Sequence, residues 1–301
     1  MKHSLDKSHF YYAMSKDNEA ALKVNTGDTV EIRTHDCFQG QITSQDTVLD
    51  TVDWDQINPA TGPIYIEGIR RGDVLKVTIE DITLDDRGVM LTGPGLGVMG
   101  EQMEGMEAKM FDVDAAGGHV SFNGLELPMN PMIGVIGVAP EGDPINNGTP
   151  DRHGGNMDSK KITSGADLYL PVFHDGALFG LGDVHAKMGD GEISVSGLEI
   201  GSTVTVTLDK ARNMTTGHPV VIDEEGIYMM VSHESLDAAV DESVRQMIAL
   251  LHPHTDLSFS ELTMLMSLVG ETQINQVVDP LKTARFFVPK SVLDHYNISF
   301  S

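Results

Sequence analysis

Three segments of this chain constrain its fold more than any other feature, because each begins with glycine and continues with alternating apolar residues. They are residues 27–32, 72–79 and 201–208. In the second segment, Leu75, Val77 and Ile79 fall on one face of an extended chain, as in a half-buried strand. With 31 glycines among 301 residues and many short β-branched runs, the sequence predicts a mainly β protein with stacked antiparallel sheets.

Other segments also have strand periodicity, and one segment changes character. The strand candidates are residues 64–67, 119–122, 132–138, 168–173, 192–196, 273–278 and 283–288. Between residues 87 and 110 the sequence is rich in glycine and methionine, which predicts a mobile loop or a short helix. Its methionines are expected to fill gaps in a core, and a lid that closes on a ligand is the alternative.

Two helices are predicted near the C-terminus. Ser235 is suited to cap a first helix in which apolar residues recur at three- and four-residue spacing. Ser258 and Glu261 have the spacing of a capping box for a second helix, and Gly270 is placed to end it. Because strand-like sequence resumes afterwards, this helical pair is predicted to be an insertion at about residues 235–270.

The composition excludes several classes of partner. The chain has 45 acidic and 20 basic residues, which gives a formal net charge of −25. Such a charge repels phosphate backbones and anionic lipids, so neither nucleic acid nor a membrane is an expected partner. Residues 1–7 are charged, unlike a signal peptide, and no run of about 18 apolar residues occurs. One cysteine, Cys37, cannot form an intramolecular disulfide, so a cytoplasmic location is expected.

The usual protein nucleophiles are missing from the sequence. There is no Gly-x-Ser-x-Gly elbow, and the dinucleotide and P-loop fingerprints are absent. Cys37 follows Asp36, and a neighbouring carboxylate disfavours a reactive thiolate. A buried, inert thiol is therefore expected at Cys37, although a cysteine amidase remains a third hypothesis.

Three clusters of polar residues offer ligands for a metal ion. They lie at His35–Asp36, residues 151–158 and residues 182–192. In the last cluster Asp183 and His185 share a face of an extended chain, and the glycines around Asp190 allow a turn that returns Glu192 to them. Each cluster alone is more often a turn than a metal site, since Asp and Asn beside glycine bond their own backbone.

The polar clusters also carry a family resemblance. Residues 36–42, 154–158, 182–192 and 276–280 together resemble the acetamidase/formamidase family, and the resemblance runs from about residue 5 to about residue 290. It implies a β-sandwich core with inserted α/β elements, here followed by the C-terminal helical pair, in one domain over residues 1–301. It also implies hydrolysis of small amides such as acetamide or formamide to ammonia and a carboxylic acid, by a homo-oligomer.

The resemblance implies a divalent metal, with zinc as the first choice and calcium as the alternative. The expected ligands are Asp36, Asp158, Asp183, His185 and Glu192. Metal-assisted hydrolysis needs no protein nucleophile, because a bound ion lowers the pKa of its water from about 15.7 toward about 7.

A carboxylate would serve as the general base in this reaction. Glu192 is the expected base and Asp190 the alternate, while Asn156 would contact the substrate carbonyl or orient a carboxylate. The competing hypothesis is a non-catalytic, metal-stabilised β-sandwich that binds a small metabolite or a sugar. It predicts a closed metal site without room for an amide.

Overall fold

The computed structural model describes residues 1–300, and the protein is mainly β as predicted. The strands are β1 (Lys2–Leu5), β2 (Phe10–Tyr11), β3 (Ala13–Met14), β4 (Leu22–Asn25), β5 (Asp28–Thr34), β6 (Ala60–Glu67), β7 (Val74–Thr92), β8 (Glu107–Asp112), β9 (His119–Phe122), β10 (Leu125–Pro128), β11 (Met132–Gly137), β12 (Ile145–Asn146), β13 (Gly154–Asn156), β14 (Asp167–Pro171), β15 (Phe179–His185), β16 (Glu199–Lys210), β17 (Val220–Ile222), β18 (Gly226–His233), β19 (Glu271–Gln276) and β20 (Lys282–Pro289). The helices are α1 (Leu236–Leu251), α2 (Phe259–Val269) and α3 (Lys290–His295).

Sixteen strands form one hydrogen-bonded sheet, whose main path is β13-β11-β15-β16-β7-β14-β17-β18-β20-β19. The pairs along this path are antiparallel. The three glycine-led segments lie side by side in it, because β16 pairs with β5 on one edge and with β7 on the other. The pattern that predicted them as strands therefore also marks the centre of the sheet.

The main hydrophobic core gathers residues from strands that are far apart in the sheet order. It includes Val30 of β5, Ile64 of β6, Ile133 of β11, Leu168 of β14 and Met230 of β18, all almost fully buried. Because these strands share one core, the sheet curls back on itself as the layers of a sandwich do.

The two predicted helices are confirmed as an excursion between β18 and β19. The side chain of Ser235 accepts a hydrogen bond from the backbone N–H of Ala238 at the start of α1. Ser258 and Glu261 complete the capping box of α2, and Gly270 follows its last residue. Both helices pack on the β18–β20 end of the sheet and form a second hydrophobic core there. Among residues 1–300 no helix is both long and apolar enough to cross a membrane.

One local prediction was wrong. Residues 192–196 form a turn instead of a strand, with positive φ at Glu192 (44°) and Val195 (73°). The 87–110 segment contains the predicted loop at residues 93–106, with a short 3-10 helix at Gly100–Gln102. Its two ends belong to a hairpin, since β7 runs to Thr92 and pairs with β8 from Glu107.

Candidate active site

Five buried titratable side chains converge at the end of β15 and the start of β16. They are Asp158, Asp183, His185, Glu192 and Glu199, here called the His185 cluster. The imidazole Nε2 of His185 lies 3.1 Å from Glu199 Oε2 and 3.5 Å from Asp183 Oδ1. The same nitrogen lies 3.9 Å from Asp158 Oδ1 and 4.0 Å from Glu192 Oε1. One imidazole is therefore surrounded by four carboxyl groups.

The backbone at three of these residues is unusual. Asp158, Asp183 and Glu192 have φ values of 44°, 54° and 44°, in the left-handed region that side-chain-bearing residues rarely adopt. Such conformations cost of the order of 1–3 kcal/mol each and concentrate at functional sites. The surrounding structure therefore maintains a costly backbone at the points where these carboxylates enter the cluster.

The carboxylate oxygens and the imidazole Nε2 of the cluster lie close together without forming hydrogen bonds with one another. Within residues 1–300, neither oxygen of Asp158, neither ring nitrogen of His185, nor the Oε2 atoms of Glu192 and Glu199 has a hydrogen-bond partner. Burying polar atoms in this way is costly, and native proteins rarely leave so many unpaired in one place. A cation bound beside Nε2 would give these oxygens and Nε2 a partner, whereas Nδ1 of His185 faces Gly197.

Burial and neighbouring charges perturb the pKa values of the cluster. Burial, and then the Asp183 carboxylate, raise the pKa of Asp158 to about 6. Burial is also the main reason that the pKa of Glu199 rises to about 8, with Asp183 adding to it. Burial alone would lower the pKa of His185, but the carboxylates of Glu199 and Asp183 raise it well above its usual value. The cluster thus contains more carboxyl groups than one imidazolium can neutralise, and without a cation some of them retain their protons at neutral pH.

The thiol of Cys37 lies beside Asp183 and Glu199 of the cluster. One atom each from Cys37, Asp183 and Glu199 lies within 4.8 Å of the others, and the same holds for Asp158, His185 and Glu192. The prediction that Cys37 is buried is confirmed. Burial and the nearby Glu199 carboxylate raise the pKa of this thiol well above its usual range. The thiol is therefore a poor nucleophile, and it would become a soft metal ligand only by losing its proton to a bound ion.

A hydrogen-bonded pair of an amide and a carboxylate lies beside the cluster. Asn156 Nδ2 donates a hydrogen bond to Asp279 Oδ2 at 3.1 Å, and Asp279 follows β19. Gln276 Oε1 accepts hydrogen bonds from the backbone N–H groups of Val278 and Asp279, each at 3.0 Å. The side chain of Gln276 therefore shapes the turn that presents Asp279 to Asn156.

Two residues predicted for the site lie outside the cluster. The carboxylate of Asp36 accepts hydrogen bonds from the backbone N–H groups of Phe38 and Gly40, so it stabilises its own turn. Asp190 is paired with Arg285 and Lys160 and cannot serve as a free base. In the His35–Asp36 cluster, the imidazole of His35 contacts the carbonyl of Lys7. The structure thus brings together Asp158, Asp183, His185, Glu192 and Asn156 from the predicted set, and leaves out Asp36 and Asp190.

Two site residues, Glu199 and Asp279, were not predicted. Glu199 stands between Leu198 and Ile200 at the start of a strand, and it is 2% exposed. An acidic residue flanked by apolar ones in a strand is a usable signal, because a buried carboxylate needs a partner. Asp279 belonged to a recognised stretch, but nothing local distinguished it from an ordinary Asp-Pro turn.

A small cavity opens on the cluster. Its volume is about 250 Å³, and its polar floor includes Asn156, Asp183, Glu192, Glu199 and Asp279. Its walls are apolar and include Phe38, Trp54, Ile57, Leu91 and Val278. At about 30 Å³ per water molecule, the cavity holds a ligand of only a few non-hydrogen atoms together with water. The site therefore has room for a small molecule, unlike the closed site that the binding-protein hypothesis predicts.

Gly134 is needed for the close approach of two cluster carboxylates. A Cβ atom on Gly134 would lie closer than 3.0 Å to Asp158 Oδ1, Asp183 Oδ2 and the Asp183 carbonyl. We expect Gly134→Ala to lower the melting temperature by about 2–5 °C and to weaken divalent-metal binding, since overpacking costs about 1–3 kcal/mol. Gly105→Ala is the matched control, because a Cβ there meets no atom within 4 Å. Calorimetry of both variants checks this, and equal melting temperatures would contradict it.

Comparison with known proteins gives a consistent assignment. The acetamidase/formamidase family profile matches residues 6–147 and 145–295. The crystal structure of a predicted acetamidase/formamidase from Thermoanaerobacter tengcongensis is 49% identical, with a TM-score of 0.96 and 99% coverage of both chains. That of an acetamidase from Bacillus halodurans is 43% identical, with a TM-score of 0.93 and coverage of 97% of this chain and 99% of the other.

Similarity to curated relatives is more distant. An acetamidase from Mycolicibacterium smegmatis is 27% identical over 262 residues, which cover 64% of this chain and 64% of that protein. The chain spans about three fifths of the length of the curated relatives it matches. The profile nevertheless covers nearly all of the sequence, and the chain belongs to the acetamidase/formamidase family.

Proposed function

We propose that this protein hydrolyses small aliphatic amides, such as acetamide or formamide, to ammonia and the carboxylate. One observation carries the proposal: a cluster of buried, unpartnered polar atoms suited to a metal lies beside a cavity of about 250 Å³, which Glu192 and Glu199 of that cluster line. Family membership supports it, because relatives are named formamidase and acetamidase. A site of this kind needs water and a metal, and it needs no protein nucleophile.

The donor set fits a divalent ion and favours zinc. Asp158, His185 and Glu192 would hold the ion, and Cys37, Asp183 and Glu199 provide a second set of donors beside them. Zinc accepts imidazole, thiolate and carboxylate ligands, whereas calcium takes oxygen ligands only. When bound, such an ion lowers the pKa of a water molecule toward about 7 and polarises the amide carbonyl. The nitrogen of His185 and the sulfur of Cys37 are our reason for preferring zinc.

Glu192 is placed to move the proton. Its Oε1 accepts a hydrogen bond from the backbone N–H of Gly197 at 3.1 Å, while Oε2 is buried and has no partner among residues 1–300. Burial, and then the carboxylate of Asp158, raise the pKa of Glu192 well above its usual value. We infer that Oε2 takes a proton from the attacking water and returns it to the leaving nitrogen, as a general base and then a general acid.

Asn156 is placed to orient the amide. Its Nδ2 is committed to Asp279, and its Oδ1 is buried without a partner among residues 1–300. Because Oδ1 is an acceptor, we infer that it receives a hydrogen bond from the amide nitrogen of the substrate. The carbonyl oxygen of the amide would then face the metal position and its nitrogen would face Asn156. The sequence suggested that Asn156 contacts the substrate carbonyl or orients a carboxylate, and the bond to Asp279 supports the second of these roles.

Ammonia release from a series of amides tests the proposal. We expect purified protein to release one ammonia per carboxylate from formamide, acetamide and propionamide, with much weaker activity on benzamide, because the cavity is small. Activity should survive treatment of the native protein with N-ethylmaleimide, since Cys37 is 5% exposed. No ammonia from any amide would favour the binding-protein alternative. Loss of activity on alkylation of protein that keeps its metal would favour a cysteine amidase.

The same proposal includes zinc as the metal, a homo-oligomeric assembly and a cytoplasmic location. The nitrogen and sulfur donors support zinc, and the single free cysteine supports a reducing compartment. Elemental analysis of purified protein and analytical ultracentrifugation would test the first two. Calcium as the resident ion, or a monomer at micromolar concentration, would overturn the corresponding part.

A further inference from the structure

Arg285 carries a buried charge on a strand that is separated from β15 and β16 in the strand order of the sheet. It lies in β20, and only 1% of the residue is exposed. Its Nε donates to Gln273 Oε1 at 2.7 Å, and its Nη1 donates to Asn275 Oδ1 at 2.7 Å. Its two terminal nitrogens also bind both oxygens of Asp190, at 3.0 and 2.8 Å. A buried guanidinium with so many bonds imposes one geometry on its partners.

The main partner, Asp190, lies in the turn that carries Glu192. The backbone N–H of Gly191 donates to the Asn275 carbonyl at 2.7 Å, and the N–H of Val277 donates to the Gly191 carbonyl at 3.1 Å. This turn is therefore fastened to β19 by its backbone and to β20 by the Arg285–Asp190 pair. Glu192, with φ of 44°, follows directly. The fastening accounts for how an unfavourable backbone conformation persists at Glu192.

The same network reaches the loop that carries Asp158. Asn275, held by Arg285, donates from Nδ2 to the carbonyl of Met157 at 3.2 Å. Lys160 of the same loop contacts Asp190 Oδ2 at 3.0 Å. Arg285 and its partners thus connect the segments on which Asp158 and Glu192 stand. Arg285 itself does not line the cavity.

We propose that Arg285 is a positioning residue, which acts through Asp190 and Asn275 to hold Asp158 and Glu192 at the spacing that a metal ion requires. This inference rests on the metal site of the proposed function, and it assigns control of that site to the C-terminal strands. Partners that orient metal ligands typically contribute about 10- to 100-fold to metal affinity. A role confined to stability would lower the melting temperature and leave the metal affinity unchanged.

Zinc affinity, measured by competition with a chromophoric chelator, tests the inference without any substrate. We expect Arg285→Met to weaken zinc binding by about 10- to 100-fold. Val288→Ala is the matched control, because it truncates a buried residue of the same strand outside this network. It should lower the melting temperature with zinc affinity within about twofold of the wild type. Arg285→Met with wild-type zinc affinity, or a wild-type protein that binds no zinc, would overturn the inference.

A second variant covers the case in which Arg285→Met does not fold. Asp190→Asn removes the carboxylate from a side chain that is 31% exposed, and it should weaken zinc binding to a similar extent. Unchanged zinc affinity in folded Asp190→Asn would also overturn the inference. A double variant that combines Arg285→Met with Asp190→Asn should, where it and both single variants fold, bind zinc no more weakly than Arg285→Met alone. The reason is that both residues act through the same contact. An inactive wild type whose zinc affinity still depends on Arg285 would refute the amidase function and leave this inference standing.

Discussion

Replacing Glu192 with glutamine should lower kcat for acetamide by about a thousandfold or more. Glutamine keeps the shape of the side chain and can still accept the hydrogen bond from Gly197, but it cannot take a proton from water. General base catalysis alone contributes about 10²–10⁴-fold, and loss of a metal ligand adds to this. Steady-state kinetics with the metal content measured on the same sample checks the prediction.

The metal content separates the two roles of Glu192. A variant that retains its metal and loses kcat identifies a general base, whereas one that loses its metal identifies a ligand. Glu80→Gln is the control, because Glu80 is an exposed residue of β7 and its substitution should leave kcat unchanged. A kcat for Glu192→Gln within about threefold of the wild type would contradict both roles.

Metal-free protein should become less stable as the pH rises from about 5 to about 8.5, with a fall in melting temperature of about 5 °C or more. The folded-state pKa values of Asp158 and Glu199 are raised to about 6 and about 8, from 3.8 and 4.5. The folded protein therefore holds protons that the unfolded chain releases. Their stabilising contribution is complete below about pH 4 and is lost as the pH rises through about 6 and then 8, as carboxylates ionise in a buried, crowded site.

Metal-loaded protein provides the comparison for this pH effect. A bound cation favours the ionised carboxylates, so its melting temperature should change less over the same pH range. The titration of surface groups, which carry most of the net charge of −25, should change the melting temperatures of the metal-free and metal-loaded proteins equally. Glu199→Gln should flatten the pH dependence of the metal-free form, because its carboxyl group has a higher pKa than that of Asp158. A metal-free melting temperature that is constant or rises with pH would contradict this account.

Local sequence patterns predicted the elements well where one segment contains the whole signal. Alternation at residues 72–79 and 201–208 identified β7 and β16, and the capping residues Ser235 and Ser258 placed the starts of α1 and α2. These features depend on periods of two or 3.6 residues and on caps that lie within four residues. The turn at residues 192–196 defeated the same reasoning, since its apolar residues alternate although Glu192 and Val195 have positive φ.

The site could be predicted only in part, because its residues come from separate elements. Asp183 and His185 were identifiable from their spacing, since both stand on β15. Asp36 and Asp190 have equally suitable chemistry, but one bonds its own turn and the other pairs with Arg285. Arg285 is 95 residues from Asp190 in the sequence, so nothing near Asp190 indicates this partner. Glu199 is brought to the cluster by the pairing of β16 with β15, and that pairing depends on the whole sheet.

The most direct test of the central claim is ammonia release from acetamide by protein whose metal has been removed and then restored. Chelation, with the loss verified by elemental analysis, should abolish activity, and zinc should restore it in proportion to the zinc bound. Calcium or magnesium should restore little, because the cluster includes His185 and Cys37 as nitrogen and sulfur donors. Full activity in protein shown to contain no metal would contradict the account.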